Sequence, residues 1–259
     1  MAFGGDKRLK RVMNRYKITI EYDGRPFVGW QRQDNGLGVQ QVVESAIMDF
    51  CGEQATVFCA GRTDAGVHAM GQVAHFDLNA DPGEDTVRDA INFHLVRSQH
   101  PVQVLHAQKV DEEFHARFSA NERQYLYRIL NRRPRPAIEA GRVWWVPVPL
   151  DADAMNDAAN VLLGKHDFTS FRATNCQAKT AVKTLDELTV ERRDEEIHLR
   201  VRARSFLHHQ VRNMAGSLKM VGEGRWSKSD LQNVLQARDR TRGGQTAPAE
   251  GLYLVRVGY

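Results

Sequence analysis

The chain has 259 residues, of which 42% are hydrophobic and 26% are charged, and its formal net charge is +4. This composition excludes a disordered chain, and three cysteines without ligand spacing argue against a disulfide framework or a zinc site. The cysteine usage leads us to expect a reduced, cytoplasmic protein. No apolar run has the length of a membrane span, so we expect no membrane association.

Residues 1–15 are expected to form a flexible basic arm, because their basic cluster lacks the hydrophobic core of a signal peptide. Hydrophobic periodicity then predicts an N-terminal domain, residues 16–113, with the element order β-α-β-β-α-β. Its predicted strands are Tyr16–Tyr22, Val57–Cys59, Gln72–Phe76 and Val102–Lys109, and its predicted helices are Val39–Phe50 and Thr86–Phe93.

The second half, residues 114–259, repeats this order as a C-terminal domain. Its predicted strands are Tyr125–Leu130, Leu185–Glu191, Ile197–Arg204 and Leu252–Val257, and its predicted helices are Ala152–Leu163, Leu207–Val221 and an additional one at Ser229–Ala237. The proline-rich stretch between the first strand and the first helix is predicted to be a long loop. The fold class is therefore α+β, with two ferredoxin-like halves and a cleft where they meet.

The segment Ala60–Ala69, AGRTDAGVHA, is the strongest candidate for chemistry. Gly61 and Gly66 permit a sharp turn that exposes Asp64, with Arg62 two positions away. A nearby guanidinium favours the ionised carboxylate that a nucleophile requires. The same pattern is typical of a structural turn whose aspartate caps the loop backbone, so the segment alone leaves both interpretations open.

Arginine outnumbers lysine by 27 to 9, which suits phosphate binding but also follows from codon bias. In the predicted strand Ile197–Arg204, alternation places Arg200, Arg202 and Arg204 on one face. A row of like charges is unfavourable unless an anion lies across it. We interpret the row as a contact for RNA backbone phosphates, with a solvated strand face as the alternative.

Tyr125 and Tyr127 share one strand face, which favours core packing, although one ring is suited to stack on a base.

In the predicted helix Leu207–Val221, His208 and Arg212 are four residues apart and present a cation. His208 and His209 suggest a metal site. Because adjacent helical residues point to different faces and no third ligand is evident, none is predicted.

Six segments, in order across nearly the whole chain, resemble the bacterial tRNA pseudouridine synthase A family. They are YDGRPFVGWQRQ, AGRTDAGVHAMGQVAHF, FHARFSANERQYLYRIL, DFTSFRATNCQ, FLHHQVRNMAGSLKMVG and TAPAEGLYLVRVGY. The resemblance implies two ferredoxin-like halves that share a largely antiparallel sheet, and a homodimer that contacts tRNA through both subunits. It implies isomerisation of uridine to pseudouridine at positions 38, 39 and 40 of the anticodon stem-loop, with base flipping, no cofactor and no metal.

Matched by motif, the resemblance implies that Asp64 is the catalytic nucleophile and that Arg212 holds its carboxylate. It implies that Arg62 occupies the space of the flipped nucleotide and that the Tyr125 ring lies beneath the uracil. The reaction detaches uracil from ribose C1′ and rejoins it through C5, so it needs a nucleophile, a hold on the free base and loss of the C5 proton. Attack on uracil C6, attack on ribose C1′ and removal of a sugar proton by Asp64 all stay open.

Two other classes of protein fit parts of the pattern. A non-catalytic RNA-binding module would use aromatic residues on central strands, but the RNA-recognition signature is absent from the sequence. A glycoside or nucleoside hydrolase would act on the same C1′ bond, but it normally uses two carboxylates, and no second exposed loop carries one comparable to Asp64.

Overall fold

The computed structural model describes residues 13–174 and 176–259. Most of the predicted basic arm, residues 1–12, therefore lies outside the described residues. Asn14 and Arg15, at the end of that predicted arm, belong to the first strand instead. Their side chains bind the sheet and its connecting loops: the Arg15 guanidinium lies 2.7 Å from Asp77.

The described residues form five α-helices and ten strands. The helices are α1 (Val39–Cys51), α2 (Glu84–Arg97), α3 (Ala152–Ala159), α4 (Gln210–Gly222) and α5 (Lys228–Ala237). The strands are β1 (Asn14–Tyr22), β2 (Phe58–Cys59), β3 (His68–Leu78), β4 (Val102–Val110), β5 (Glu122–Leu130), β6 (Trp144–Trp145), β7 (Gly164–Asp167), β8 (Val182–Arg193), β9 (Glu196–Ala203) and β10 (Leu252–Gly258).

The predicted elements are present, with differences at their ends. Strands β6 and β7 were not predicted, because segments of two and four residues are too short to show alternation. Helix α3 ends at Ala159 and continues as a 3₁₀ turn to Leu162. Helix α4 begins at Gln210, three residues later than predicted, because His209 adopts a left-handed backbone conformation (φ 62°) that a helix cannot include.

All ten strands belong to one sheet, whose main order is β4-β1-β3-β10-β5-β9-β8-β7. Most neighbours are antiparallel, whereas β10 pairs with β3 in parallel, Tyr253 opposite His68 and Leu254 opposite Ala69. This short parallel pairing joins the strands of the first half to those of the second. The predicted α+β class with a large, mostly antiparallel sheet is confirmed.

Two hydrophobic cores lie on this sheet. The first is built around β1, β3, α1 and α2, and the second around β5, β8, β9, α3 and α4. The two cores meet where the halves of the sheet join. Tyr125 packs against both cores, and Val67, three residues after Asp64, belongs to the second core. Among the helices that the structure describes, none is both long and apolar enough to cross a bilayer.

His75 on β3 is a buried imidazole, 2% exposed, whose Nδ1 accepts a hydrogen bond of 3.2 Å from the Ala116 amide. That bond requires an unprotonated Nδ1. Burial lowers the pKa of His75 to about 4, and the nearby His115 and Arg15 charges act in the same direction. The folded state therefore favours the neutral ring, and the unfolded chain takes up the proton first as the pH falls.

We accordingly expect acidification from pH 7 to pH 5 to remove about 2 kcal/mol of unfolding free energy through His75 alone, with the loss beginning near pH 6.5 and ending near pH 4. Urea unfolding of the wild type, His75→Gln and the exposed control His106→Gln at both pH values measures it. A flatter pH dependence is expected only for His75→Gln. Equal pH dependence in all three proteins would contradict this assignment.

Candidate active site

The Ala60–Ala69 loop connects β2 to β3 and lies where the two halves of the sheet meet. Its last residues enter β3 and pair there with β10, so Asp64 stands just before the parallel junction. Gly66 has a positive φ of 77°, as the sequence predicted for the turn, and Val67 closes the turn by donating to the Asp64 carbonyl oxygen at 3.1 Å.

A second loop, residues 23–30, supports this turn through backbone contacts. The Trp30 amide donates to the Thr63 carbonyl oxygen at 3.0 Å, and Gly29 forms an isolated β-bridge with Asp64. Gly29 has a φ of 118°, and a Cβ at this position would lie 2.7 Å from the Thr63 carbonyl oxygen. The two loops therefore approach each other so closely that only glycine fits.

Three buried side chains that the sequence analysis did not identify anchor the loop. The Gln72 side chain donates to the Gly61 carbonyl oxygen at 2.6 Å, and Arg123 donates to the Ala60 carbonyl oxygen at 2.8 Å. The Tyr22 hydroxyl lies 2.8 Å from the Thr63 hydroxyl. A glutamine inside the largely buried β3 and an arginine on β5 were the available signals, since buried polar groups need partners.

Three nitrogen-bearing side chains contact the Asp64 carboxylate. Two of them precede α4 and the third lies in its first turn. Arg212 Nη1 lies 3.2 Å from Oδ2, His209 Nε2 lies 3.3 Å from Oδ2, and His208 Nε2 lies 3.1 Å from Oδ1. The Arg212 Nε also donates to the Ala247 carbonyl oxygen at 2.8 Å, which fixes the guanidinium. The cation that contacts Asp64 thus comes from 148 residues away, not from Arg62.

The prediction that His208 and His209 point to different faces is wrong. Both residues precede α4, and the left-handed conformation of His209 turns its ring to the same side as that of His208. Their ring centroids are 4.0 Å apart, and both Nε2 atoms face the Asp64 carboxylate. Burial lowers the pKa of His209, with the Asp64 charge opposing this, so burial favours a neutral imidazole there.

Tyr125 lies on β5 beside the loop, and a Cβ placed on Gly61 would be 3.6 Å from its hydroxyl oxygen. Its ring meets Phe206 edge to face, with centroids 5.1 Å apart. Burial raises the pKa of Tyr125, and the nearby Asp64 charge adds to this effect. Tyr127 differs, since it is fully buried and donates to the Pro248 carbonyl oxygen at 2.7 Å. Of the two rings, Tyr125 borders the Asp64 site.

Arg62 is exposed on the same loop as Asp64. Burial raises the pKa of the neighbouring Cys59 to about 12, whereas the charges of Arg62 and Arg117 act against this rise. Both guanidinium groups therefore lie near Cys59, at the edge of the site. In the part of the chain that the structure describes, Arg62 forms no ion pair with Asp64, so its side chain is available for another anion.

The predicted row of arginines, Arg200, Arg202 and Arg204, does not border the Asp64 site. Tyr125 pairs with Val201, so by alternation Arg200 and Arg202 on β9 project to the opposite sheet face, and Arg204 follows the end of that strand. Arg202 also has anionic partners within the protein, Glu187 at 3.2 Å and Glu122 at 3.5 Å. The reason given for a phosphate contact, an unpaired row of charge, is therefore wrong at Arg202, and the structure does not bring the row to Asp64.

These contacts bear on the alternative classes of protein. In the described ranges, the side chains bonded to the Asp64 carboxylate are two imidazoles and a guanidinium. A module that only binds RNA has no need of a carboxylate held by three nitrogen donors. The arrangement suits a partly exposed, oriented carboxylate that acts as a nucleophile or base.

Comparison with known proteins identifies the family of this chain. The family model described as tRNA pseudouridine synthase matches residues 18–119 and 158–259, that is, both halves of the chain. The chain is 60% identical over 247 residues to a tRNA pseudouridine synthase A from Paramagnetospirillum magneticum, an alignment that covers 95% of this chain and 96% of that protein.

Proteins with the same name from Rhodospirillum centenum and Brucella ovis are 60% and 59% identical over 247 residues. These alignments cover 95% of this chain in each case, and 100% and 98% of the respective relatives. Because the family model matches both halves and the relatives align over nearly their full length, the chain belongs to the tRNA pseudouridine synthase family, a family of isomerases.

Proposed function

We propose that this enzyme converts uridine to pseudouridine at positions 38, 39 and 40 in the anticodon stem-loop of tRNA, with Asp64 as the catalytic group. The observation that carries the proposal is the Asp64 carboxylate, held by Arg212 at 3.2 Å beside the Tyr125 ring, at the junction of the two halves. A tRNA substrate is consistent with a cytoplasmic enzyme. The reaction requires no cofactor, because one carboxylate can begin the cleavage and the bond that breaks is replaced by another.

The chemistry balances without an outside reagent. The bond between N1 and ribose C1′ breaks, a bond between C5 and C1′ forms, the C5 proton is released, and N1 gains a proton. Asp64 begins this sequence at uracil C6, at ribose C1′ or at a sugar proton. Tyr125, half-buried next to the loop, provides a flat surface on which the detached uracil can turn while C5 replaces N1.

We also propose that the target nucleotide leaves its helical stack. The Asp64 side chain is only 22% exposed, so a base that stays stacked within an RNA stem cannot bring its ring to the carboxylate. Extrusion of a base costs a few kcal/mol, and protein groups that fill its place offset this cost. The exposed Arg62, two residues from Asp64, is positioned to fill that space and to contact a phosphate.

An exposed aromatic cluster near the loop supports RNA binding. It consists of Phe58, His115 and Phe118, with Phe58 48% and Phe118 72% exposed. The His115 and Phe118 rings are 4.4 Å apart, and the Arg117 guanidinium lies 5.7 Å from the Phe118 ring. Aromatic rings flanked by arginine are typical of surfaces that stack unpaired bases.

Phe118→Ala is therefore expected to raise the Kd for tRNA by roughly 5- to 150-fold, the equivalent of about 1–3 kcal/mol for one stacked base. Because Phe118 is 72% exposed, the fold should be unaffected. Filter binding with the inactive Asp64→Asn protein measures the affinity. Ile138→Ala, which removes an apolar side chain that is 85% exposed, serves as the control. Equal affinities for both variants would remove Phe118 from the proposed RNA surface.

We propose that each half is ferredoxin-like. In the first half the strand order is β4-β1-β3, and β2 pairs with β3 on the side away from β1. In the second half the order is β10-β5-β9-β8. In both halves, therefore, the fourth strand lies beside the first and the third lies beside the second.

We further propose a homodimer that binds tRNA with both subunits, as the family resemblance implies. Sedimentation of the protein alone and with tRNA tests this assembly.

Tritium release from tRNA transcripts that carry [5-³H]uridine tests the proposed reaction. A transcript with uridine at positions 38, 39 and 40 is expected to release tritium when the enzyme is added, whereas a transcript with cytidine at these positions is not. Absence of release from the first transcript would disprove the activity for that tRNA, and undiminished release from the second would disprove positions 38, 39 and 40 as the target.

Arg62, on the loop that carries Asp64, can be compared with Arg202 on β9. Arg62→Ala is expected to lower kcat/KM at least about tenfold, the loss typical of one charge-assisted contact, whereas Arg202→Ala should change it less than about twofold. The reason is location: Arg62 is exposed beside Asp64, and Arg202 is paired with Glu187 and Glu122. A larger loss for Arg202→Ala than for Arg62→Ala would place the RNA on the other face of the sheet.

A further inference from the structure

The Asp64 site combines a carboxylate with two imidazoles at a spacing suited to a metal ion. One ligand atom from each of Asp64, His208 and His209 can be chosen so that all lie within 4.8 Å of one another. The two imidazole Nε2 atoms are 3.1 and 3.3 Å from the carboxylate oxygens. Those two distances run to different oxygens, Oδ1 for His208 and Oδ2 for His209. Ligands of a tetrahedral ion, bound at about 2.0–2.1 Å, are separated by roughly 3.3 Å, so no pair of ligand atoms would need to move closer by more than about 1.5 Å.

The backbone fixes both histidines in this orientation. The His208 carbonyl oxygen accepts from the Ala173 amide at 3.0 Å, and the His209 carbonyl oxygen accepts from the Asn213 amide at 2.9 Å. The left-handed conformation of His209 places the two rings side by side. Two adjacent residues thus provide two convergent nitrogen ligands, an arrangement that a continuous helix would not allow.

The ligand types select the class of ion. Imidazole nitrogen with one carboxylate suits Zn²⁺, Co²⁺ and Ni²⁺, whereas Mg²⁺ and Ca²⁺ prefer oxygen ligands throughout. All three side chains are partly exposed, which leaves an open position for water. Arg212 contacts Oδ2 and repels a dication, so Oδ1, which His208 contacts, is the oxygen expected to bind the ion.

We propose that Asp64, His208 and His209 bind one divalent ion of the zinc class, and that this ion inhibits the enzyme by occupying the Asp64 carboxylate. A carboxylate that coordinates a dication is no longer a nucleophile or base, so metal and substrate exclude each other. The binding part stands on the ligand geometry alone. The inhibition part rests on the proposed role of Asp64.

Binding is tested on the full-length protein without RNA. Addition of Co²⁺ is expected to give visible absorption bands that saturate at one ion per chain, and Zn²⁺ should abolish them by displacement. His208→Gln and His209→Gln should each weaken Co²⁺ binding at least about tenfold, as expected when a ligand is removed. The exposed control His106→Gln should bind as the wild type does.

The test uses two ligand variants, His208→Gln and His209→Gln, so that a fold defect in one does not affect the result from the other. A thermal melting curve of each variant checks that it is folded. A wild type without saturable Co²⁺ bands would overturn the proposal, as would both ligand variants with unchanged affinity. Equal loss in His106→Gln would also overturn it, since binding would then not depend on the Asp64 cluster.

The inhibition part is tested by tritium release with Zn²⁺ present, with Mg²⁺ in excess so that the tRNA stays folded. Zn²⁺ is expected to lower the rate in parallel with occupancy of the site, and a chelator should restore it. Full activity at saturating Zn²⁺ would overturn the inhibition. A protein that binds Co²⁺ but never releases tritium would contradict the proposed function and leave the metal site standing.

Discussion

Asp64→Asn is expected to lower tritium release from tRNA by at least about 1,000-fold, the scale on which removal of a nucleophile acts in other enzymes. The substitution preserves the size of the side chain but removes the charge that attacks the nucleotide. It also turns one carboxylate oxygen into an N–H₂ group that faces the donors Arg212 and His209. Binding of tRNA should persist, because the substitution leaves the exposed contact residues unchanged.

Single-turnover assays with equal amounts of bound tRNA separate this chemical loss from a loss of affinity. The control is Asp186→Asn, the same substitution at an exposed position of β8, which should leave the rate within about twofold of the wild type. Asp64→Asn with more than a tenth of wild-type activity would show that Asp64 is not the nucleophile, whatever its place in the site.

Local sequence patterns predicted much of the framework because they report local structure. Alternation identified β9 and the apolar spacing identified α1, since each depends only on which side of an element is buried. The start of α4 could not be predicted in this way. It depends on the left-handed conformation of His209, which is uncommon for any residue except glycine and has no reliable signal in the neighbouring residues.

The candidate site was predicted less completely, because its contacts join distant parts of the chain. In the sequence Arg62 is two positions from Asp64, but the guanidinium that reaches the carboxylate is that of Arg212. That pairing came from the family resemblance and could not be derived from spacing. Likewise, alternation correctly grouped Arg200 with Arg202, but only the pairing of β9 with β5 and β8 shows which sheet face they occupy.

Arg212→Ala is expected to lower kcat at least about 100-fold while the protein stays folded. Arg212 holds Oδ2 of Asp64 at 3.2 Å and is itself fixed by the Ala247 carbonyl oxygen at 2.8 Å. Removal of the guanidinium leaves the carboxylate with the two imidazoles alone, which can turn it away from the nucleotide. The lost hydrogen bonds should lower the unfolding free energy by about 1–3 kcal/mol, too little to unfold a typical domain.

Arg212→Lys separates orientation from charge. Lysine keeps a cation near Asp64 but cannot contact the carboxylate and the Ala247 carbonyl oxygen with one planar group, so we expect only partial recovery of kcat over Arg212→Ala. Circular dichroism and urea unfolding of both variants check the fold. Loss of cooperative unfolding in Arg212→Ala would reassign the residue to structure, and a wild-type kcat in that folded variant would mean that Asp64 is positioned by the histidines instead.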